Sequence, residues 1–228
     1  VHELYCKMDG NFPNHEADPT VLANMKDLIA MVQQHELDVG IGYDGDGDRI
    51  GVVDEKGNIV YGDKLMVLFA REILSRRPGA VFISEVKCSQ VMYDEIEKRG
   101  GRAVMWKTGH SLIKAKMKEE RAALAGEMSG HMFFEDRYLG FDDAVYASCR
   151  LLEILSVTGR KMSDLLSDLP HTYTTPEIRV DCPDNRKFHL VDKVTRFFKA
   201  RYEVIDIDGA RIDRKSTRLK SSHVSQYR

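Results

Sequence analysis

Apolar residues at Val21, Leu22, Met25, Leu28, Ile29 and Val32 recur at the three- and four-residue spacing of one helical face, after a Pro19-Thr20 start. That spacing predicts an amphipathic helix of about four turns. The pattern then shortens. Residues 37–43, 50–53 and 58–61 read as strands, and Asp54-Glu55-Lys56-Gly57 between the last two is a hairpin signal. From Asp63 the chain alternates: helix 63–76, strand 80–86, helix 89–98 closed by Gly100-Gly101, strand 102–107, helix 111–119, strand 122–127. Alternation with short joints implies right-handed crossovers and an α/β fold of mixed, mainly parallel sheets with covering helices. Ligands bind such sheets at the carboxyl ends of the strands, so the loops 87–89, 107–111 and 126–131 are expected to face one cleft.

A further helix is predicted over 141–157, ended by Thr158-Gly159. Residues 170–176, with two prolines and three threonines, read as a linker. A last unit follows, with strand 177–180, helix 186–200 and strand 202–207. The basic, serine-containing stretch 214–228 carries no apolar periodicity and is expected to be disordered. The divisions fall at 1–58, 59–170, 171–213 and 214–228.

Composition narrows the function classes. Across 228 residues, 34 Lys and Arg oppose 36 Asp and Glu, so the net charge of −2 gives no reason to expect a nucleic-acid partner or an anionic membrane. No apolar run approaches the roughly 18 residues of a spanning helix, and Val1-His2-Glu3 opens no signal peptide. A cytoplasmic protein is expected. Cys6, Cys88, Cys149 and Cys182 have no zinc-ligand spacing and are expected to be free thiols.

Three segments carry chemistry. Asp44-Gly45-Asp46-Gly47-Asp48-Arg49 places three carboxylates within five residues, with glycines that let them converge. Such like charges need a divalent cation or raised pKa values, and hard oxygen ligands select Mg²⁺ or Ca²⁺. A solvated acidic turn is the plainer alternative. A calcium loop fits less well, because Arg49 stands where that loop needs glycine. A dehalogenase-type phosphatase, with Asp44 as nucleophile, also remains. Gly126-Glu127-Met128-Ser129-Gly130-His131 sets a carboxylate, a hydroxyl and an imidazole among glycines, which suits a polyhydroxylated ligand. Lys107-Thr108-Gly109-His110-Ser111 offers free amides and basic side chains to an anion at a helix start, although such a pair is also ordinary surface. Lys87 follows its strand in the same way.

In this order and spacing, residues 44–49, Trp106-Lys107-Thr108-Gly109-His110-Ser111 and 126–131 strongly resemble the bacterial members of the α-D-phosphohexomutase family. Phe12-Pro13-Asn14-His15 and Gly140-Phe141-Asp142-Asp143 are similar too, and the resemblance covers residues 1 to about 213. It implies consecutive α/β domains around a cleft, with 1–58 the end of the second domain, 59–170 the third and 171–213 the start of the fourth. It implies exchange of phosphate between the 1- and 6-positions of mannose or glucose through a phosphoserine and a hexose bisphosphate. Asp44, Asp46 and Asp48 would hold Mg²⁺, and Glu127 and Ser129 would grip sugar hydroxyls, with Met128 and Gly130 in the same binding loop. Lys87, His110 and His131 would stand near substrate phosphate, and Arg49 beside the serine. Arg49, His110 and His131 are the catalytic candidates, with the proton carrier left open. The expected partner is a hexose phosphate and the expected state a monomer.

The family's Ser-His-Asn-Pro-like loop does not occur here, since Ser222-His223 continues with Val224-Ser225. The expectation is therefore a piece of a mutase, inactive alone. A hydrolase acting through Asp44 and a non-catalytic cation or sugar-phosphate module are the alternatives.

Overall fold

The structure is a computed structural model that describes residues 1–7, 9–172, 178, 180–212 and, for the backbone, 222–224. Its first sheet is an antiparallel meander of β1 (Val39–Tyr43), β2 (Ile50–Asp54) and β3 (Ile59–Val60), with Val39 opposite Asp54 and Tyr43 opposite Ile50. The helix expected from Val21 opens instead with a 3₁₀ turn, Leu22–Met25, before α1 (Lys26–Gln34). Val21 is extended and no side chain caps the turn, so the first residues lack the partners that an α-helical start requires. Met25 and Val32 bury against Val53. Gly40 permits this approach, because a Cβ there would lie 2.6 Å from Val32 Cγ2.

The second sheet holds β4 (Val81–Glu85), β5 (Arg102–Trp106), β6 (Leu124–Gly126) and β7 (Met132–Phe134) in the order β5-β4-β6-β7. β4 runs parallel to both neighbours, and β7 is antiparallel to β6. With the first sheet wholly antiparallel, parallel pairing is confined to β5, β4 and β6 of the second. The sequence pattern missed β7, whose three-residue apolar run is too short to announce a strand. It forms because a tight loop returns it beside β6.

Helices α2 (Gly62–Arg76), α3 (Gln90–Lys98), α4 (His110–Glu120) and α5 (Ala144–Thr158) cover both faces of this sheet. Adjacent strand residues point to opposite faces, so Phe82, Leu124 and Phe134 join Leu65, Phe69, Ile73 and Leu151 on one side. Ile83, Ala125 and Phe133 pack with Ile113 and Met117 on the other. Burial on both faces explains why these strands are continuously apolar. Ile50, Val52 and Val60 of the first sheet belong to the larger cluster, so one core joins the two sheets.

α5 starts at Ala144 rather than 141, because Asp142 bridges Phe133 and the Asp143 side chain accepts the Tyr146 N–H as its cap. A short α6 (Met162–Leu165) buries both its terminal residues, and α7 (Asp184–Lys199) follows. The strand expected over 202–207 is a single bridge from Ile205 to Arg211, and the strand itself is β8 (Ala210–Ile212). The turn through Gly209, at φ +76°, reverses the chain before a longer strand can form. Of the expected strand 177–180, Ile178 and Val180 are exposed and unpaired in any strand, while Glu177 and Arg179 lie outside the described residues. Most of the linker 170–176 lies outside them too. In the stretch expected to be disordered, β9 (Ser222–Val224) pairs antiparallel with β8, whose backbone groups need a partner; the rest of 214–228 lies outside the described residues.

All four cysteines are free thiols. Among the described residues no helix is long and apolar enough to cross a membrane.

Candidate functional site

The acidic loop leaves β1 at Tyr43 and enters β2 at Ile50. Asp44 is buried inside it: its Oδ1 accepts the N–H groups of Asp48 (3.0 Å) and Arg49 (3.1 Å), and its Oδ2 accepts Arg49 Nε at 2.5 Å. Arg49 also reaches Asp18 at 3.2 Å. Gly47, at φ +76°, turns its carbonyl to the Ala144 N–H at 3.0 Å, so the start of α5 pins the loop. Oxygens of Asp44, Asp46 and Asp48 lie within 4.8 Å of one another. Burial pushes Asp44 up, but the Arg49 N–H and guanidinium outweigh it and hold the carboxyl below its usual value. Asp48 moves the other way: burial and the neighbouring Asp44 and Asp46 raise it against the pull of His131.

Three hard oxygen donors converging on one point fit a Mg²⁺- or Ca²⁺-type cation. Flanking antiparallel strands, not helices, argue against an EF-hand. Both Asp44 oxygens are hydrogen-bonded within the loop and its side chain is 1% exposed, so Asp44 fixes the loop as well as offering an oxygen to the cluster.

The second loop leaves β6. Glu127 Oε1 accepts the Gly109 N–H at 2.8 Å, and its Oε2 accepts His131 Nδ1 at 2.8 Å; Ser129 Oγ lies 2.9 Å from the same nitrogen. Gly130 closes against the first sheet. Its carbonyl accepts the Ile50 N–H at 3.1 Å, and at φ +99° a Cβ would fall 2.3 Å from Ile50 O. Arg49 and His131 form the adjoining bridge, which brings His131 Nε2 within 3.2 Å of Asp48. Burial pulls the His131 imidazole down, but the Glu127 hydrogen bond and the charges of Glu127, Asp48 and Asp142 raise it above its ordinary value.

His110, the first residue of α4, stacks on His131 with ring centroids 6.2 Å apart, and its Nδ1 lies 3.9 Å from Asp142. Lys87, just past β4, sits 3.4 Å from Glu85 Oε2. Glu85 Oε1 accepts the Met128 N–H at 2.9 Å. The structure therefore brings Asp44, Asp46, Asp48, Arg49, His110, Glu127, Ser129 and His131 together, and ties Lys87 and Met128 to the same rim through Glu85. The loops 87–89, 107–111 and 126–131 stand at the carboxyl ends of β4, β5 and β6, as expected, while the acidic loop joins β1 to β2.

Three neighbours escaped the sequence reading. Lys114 pairs with Asp142 at 3.0 Å; its signal is the four-residue spacing from His110 on one helix face. Asp142, within Gly140-Phe141-Asp142-Asp143, meets both His110 and Lys114, a contact that its position in the sequence does not signal. Glu85 is an acid ending an apolar strand, which seldom occurs without a partner.

Fold and site define a class: an α/β/α sheet domain with an antiparallel sheet docked on it, presenting an acidic cation loop to a glutamate–histidine loop. The sequence profiles described as "Phosphoglucomutase/phosphomannomutase, alpha/beta/alpha domain II" and "domain III" match residues 1–57 and 61–173. The phosphomannomutase/phosphoglucomutase of Pseudomonas putida is 50% identical over 214 residues, covering 93% of this chain and 46% of that protein. The phosphoglucomutase of Neisseria gonorrhoeae is 45% identical, covering 93% of this chain and 47% of its own length. A crystal structure of a phosphoglucomutase/phosphomannomutase family protein from Burkholderia thailandensis superposes with a TM-score of 0.85 at 45% identity, over 94% of this chain and 46% of that one. The chain belongs to the phosphoglucomutase/phosphomannomutase family. It spans about half the length of the curated relatives it matches.

Proposed function

We propose that this chain supplies the cation-binding and sugar-binding groups of a phosphohexomutase, which moves phosphate between the 1- and 6-positions of mannose or glucose. The observation that carries the reading is the direct joining of the two loops, in which His131 bonds Glu127 on one side and meets Asp48 on the other. Residues 1–58 would belong to the second domain of such an enzyme, 59–170 to the third and 171–213 to the fourth; the profile matches at 1–57 and 61–173 support the first two of these. The reacting serine would come from outside residues 1–228.

Asp44, Asp46 and Asp48 would hold Mg²⁺, which supplies positive charge to a transferring phosphoryl group. Arg49, paired with Asp44 and Asp18, neutralises the same loop and would stand beside the phosphoserine. Glu127 stays ionised because the His131 and Gly109 hydrogen bonds outweigh the effect of its burial, so it accepts from sugar hydroxyls. Ser129 donates to or accepts from the neighbouring hydroxyl, with Met128 and Gly130 shaping the loop. Lys87 and His110 offer cationic or N–H contacts to substrate phosphate, and His131 stands where a proton can pass to Glu127. The partner is a hexose phosphate, with no nucleic acid or membrane, and the protein works as a cytoplasmic monomer.

Calorimetric titration tests this reading. Mg²⁺ should bind, and glucose 1-phosphate or mannose 1-phosphate should bind the Mg²⁺-loaded chain. Asp48→Asn should weaken Mg²⁺ at least about tenfold. Glu127→Ala should weaken the sugar phosphate while leaving Mg²⁺ in place. Failure of the unaltered chain to take up either ligand would remove the proposal.

A further inference from the structure

Glu85 and Glu127 end adjacent parallel strands at the same level, since Ser84 pairs with Gly126 in the β4–β6 register. Two carboxylates so placed repel, and one of them has no evident reason to be acidic. Glu85 has no solvent exposure. Its Oε1 accepts the Met128 N–H at 2.9 Å, while Oε2 accepts no hydrogen bond among the described residues and lies 3.4 Å from Lys87 Nζ. Burying a carboxyl group whose second oxygen meets an ammonium at 3.4 Å without a hydrogen bond is costly, so an apolar residue would serve the strand better. What the acid gains lies at the rim. It touches both the loop that carries Lys87 and the loop that carries Glu127, Ser129 and His131.

We propose that Glu85 is a positioning residue, which holds the sugar loop through the Met128 N–H and the Lys87 ammonium through its second oxygen, so that the phosphate-facing and hydroxyl-facing groups keep a fixed separation. This rests on the phosphohexomutase reading of the two loops. Burial pushes the Glu85 carboxyl up and Glu127 adds to the rise, against the pull of Lys87, the Thr108 hydroxyl and the Met128 N–H. The Glu127 carboxylate has hydrogen bonds of its own, from the Gly109 N–H and His131, so the hydrogen bond that Glu85 makes to this loop is to its backbone at Met128.

Two variants separate the contacts. Glu85→Gln keeps an acceptor for Met128 and removes the charge facing Lys87; Glu85→Ala removes both. With Mg²⁺ saturating, affinity for glucose 1-phosphate should fall about threefold in the first and about tenfold or more in the second, while Mg²⁺ affinity stays within about twofold. The thermal midpoint of Glu85→Gln should not fall. In ¹⁵N NMR the Met128 amide should keep its shift in Glu85→Gln and lose its exchange protection in Glu85→Ala, and the Lys87 ammonium signal should move in both. Wild-type sugar-phosphate affinity in Glu85→Ala overturns the proposal, as does Mg²⁺ affinity falling by the same factor as sugar affinity. If the unaltered chain binds no hexose phosphate, the phosphohexomutase reading fails on its own. The positioning role then stands or falls on the Met128 and Lys87 signals, and unmoved signals in Glu85→Ala overturn it.

Discussion

At the scale of single residues, Gly130 shows how tightly the two loops are joined. Its positive φ and the 2.3 Å approach that a Cβ would make to Ile50 O leave no room for any side chain. Gly130→Ala must therefore move backbone, not a flexible side-chain end, and should cost about 2–4 kcal/mol. Urea unfolding checks the size, and loss of the His131–Asp48 proximity should appear as a shifted His131 imidazole signal. Asp44, Asp46, Asp48, Glu127 and His131 were legible as candidates because glycines between chemically active side chains are an uncommon arrangement along a chain. Glu85 was not legible. An acid at the end of an apolar run looks like the start of a loop until its carboxyl is seen to lie under Met128.

At the scale of elements, boundaries depend on caps more than on periodicity. The apolar pattern of α5 extends back to Phe141, yet the helix begins at Ala144, because the Asp143 side chain takes the Tyr146 N–H at 2.8 Å and the Tyr138 hydroxyl as well. Asp143→Ala should destabilise the chain by about 1 kcal/mol, and Asp143→Ser should recover most of it. Thermal unfolding of both variants checks this. Because Ala144 N also holds the Gly47 carbonyl, the cap variant should further loosen the acidic loop, seen as faster amide exchange there. The parallel strands β4, β5 and β6 and their helices follow from alternating runs that any such sheet needs. β7 and the shift of the last strand to Ala210–Ile212 do not, since three-residue strands form only when a partner edge is presented to them.

At the scale of the whole molecule, ion pairs beneath the sheet tie distant segments together. Arg150, 2% exposed, reaches Asp136 at 3.0 Å and Glu72 at 2.7 Å, and Arg76 reaches Asp136 at 2.9 Å. Burial raises Asp136 and Glu72, but these guanidinium partners outweigh it and hold both carboxyls below their usual values. Arg99 and Arg71 do the same for Glu95. A carboxyl whose folded pKa is depressed contributes stability that is present above its unfolded value, about 4, and lost as pH falls through the folded value. The contribution of these carboxyls to unfolding free energy should therefore hold level from pH 7 to about 5 and fall away below about 4, while the raised His131 adds stability as pH falls through neutral. Asp136→Asn should flatten that drop while lowering stability at pH 7. A drop of equal depth in Asp136→Asn would assign acid lability elsewhere.

The alternation of strands and helices, the three loops at the carboxyl ends and most of the side chains that meet there are written in the order of residues, because periodicity, turn residues and motif spacing are local properties. It takes the folded chain to make the acidic loop and the sugar loop touch through Gly130 and His131, to bring Glu85 against both Met128 and Lys87, and to form short strands such as β7 at all. Those features depend on which surfaces come into contact after burial of the shared core, and no local pattern encodes the distance between residues far apart in the chain.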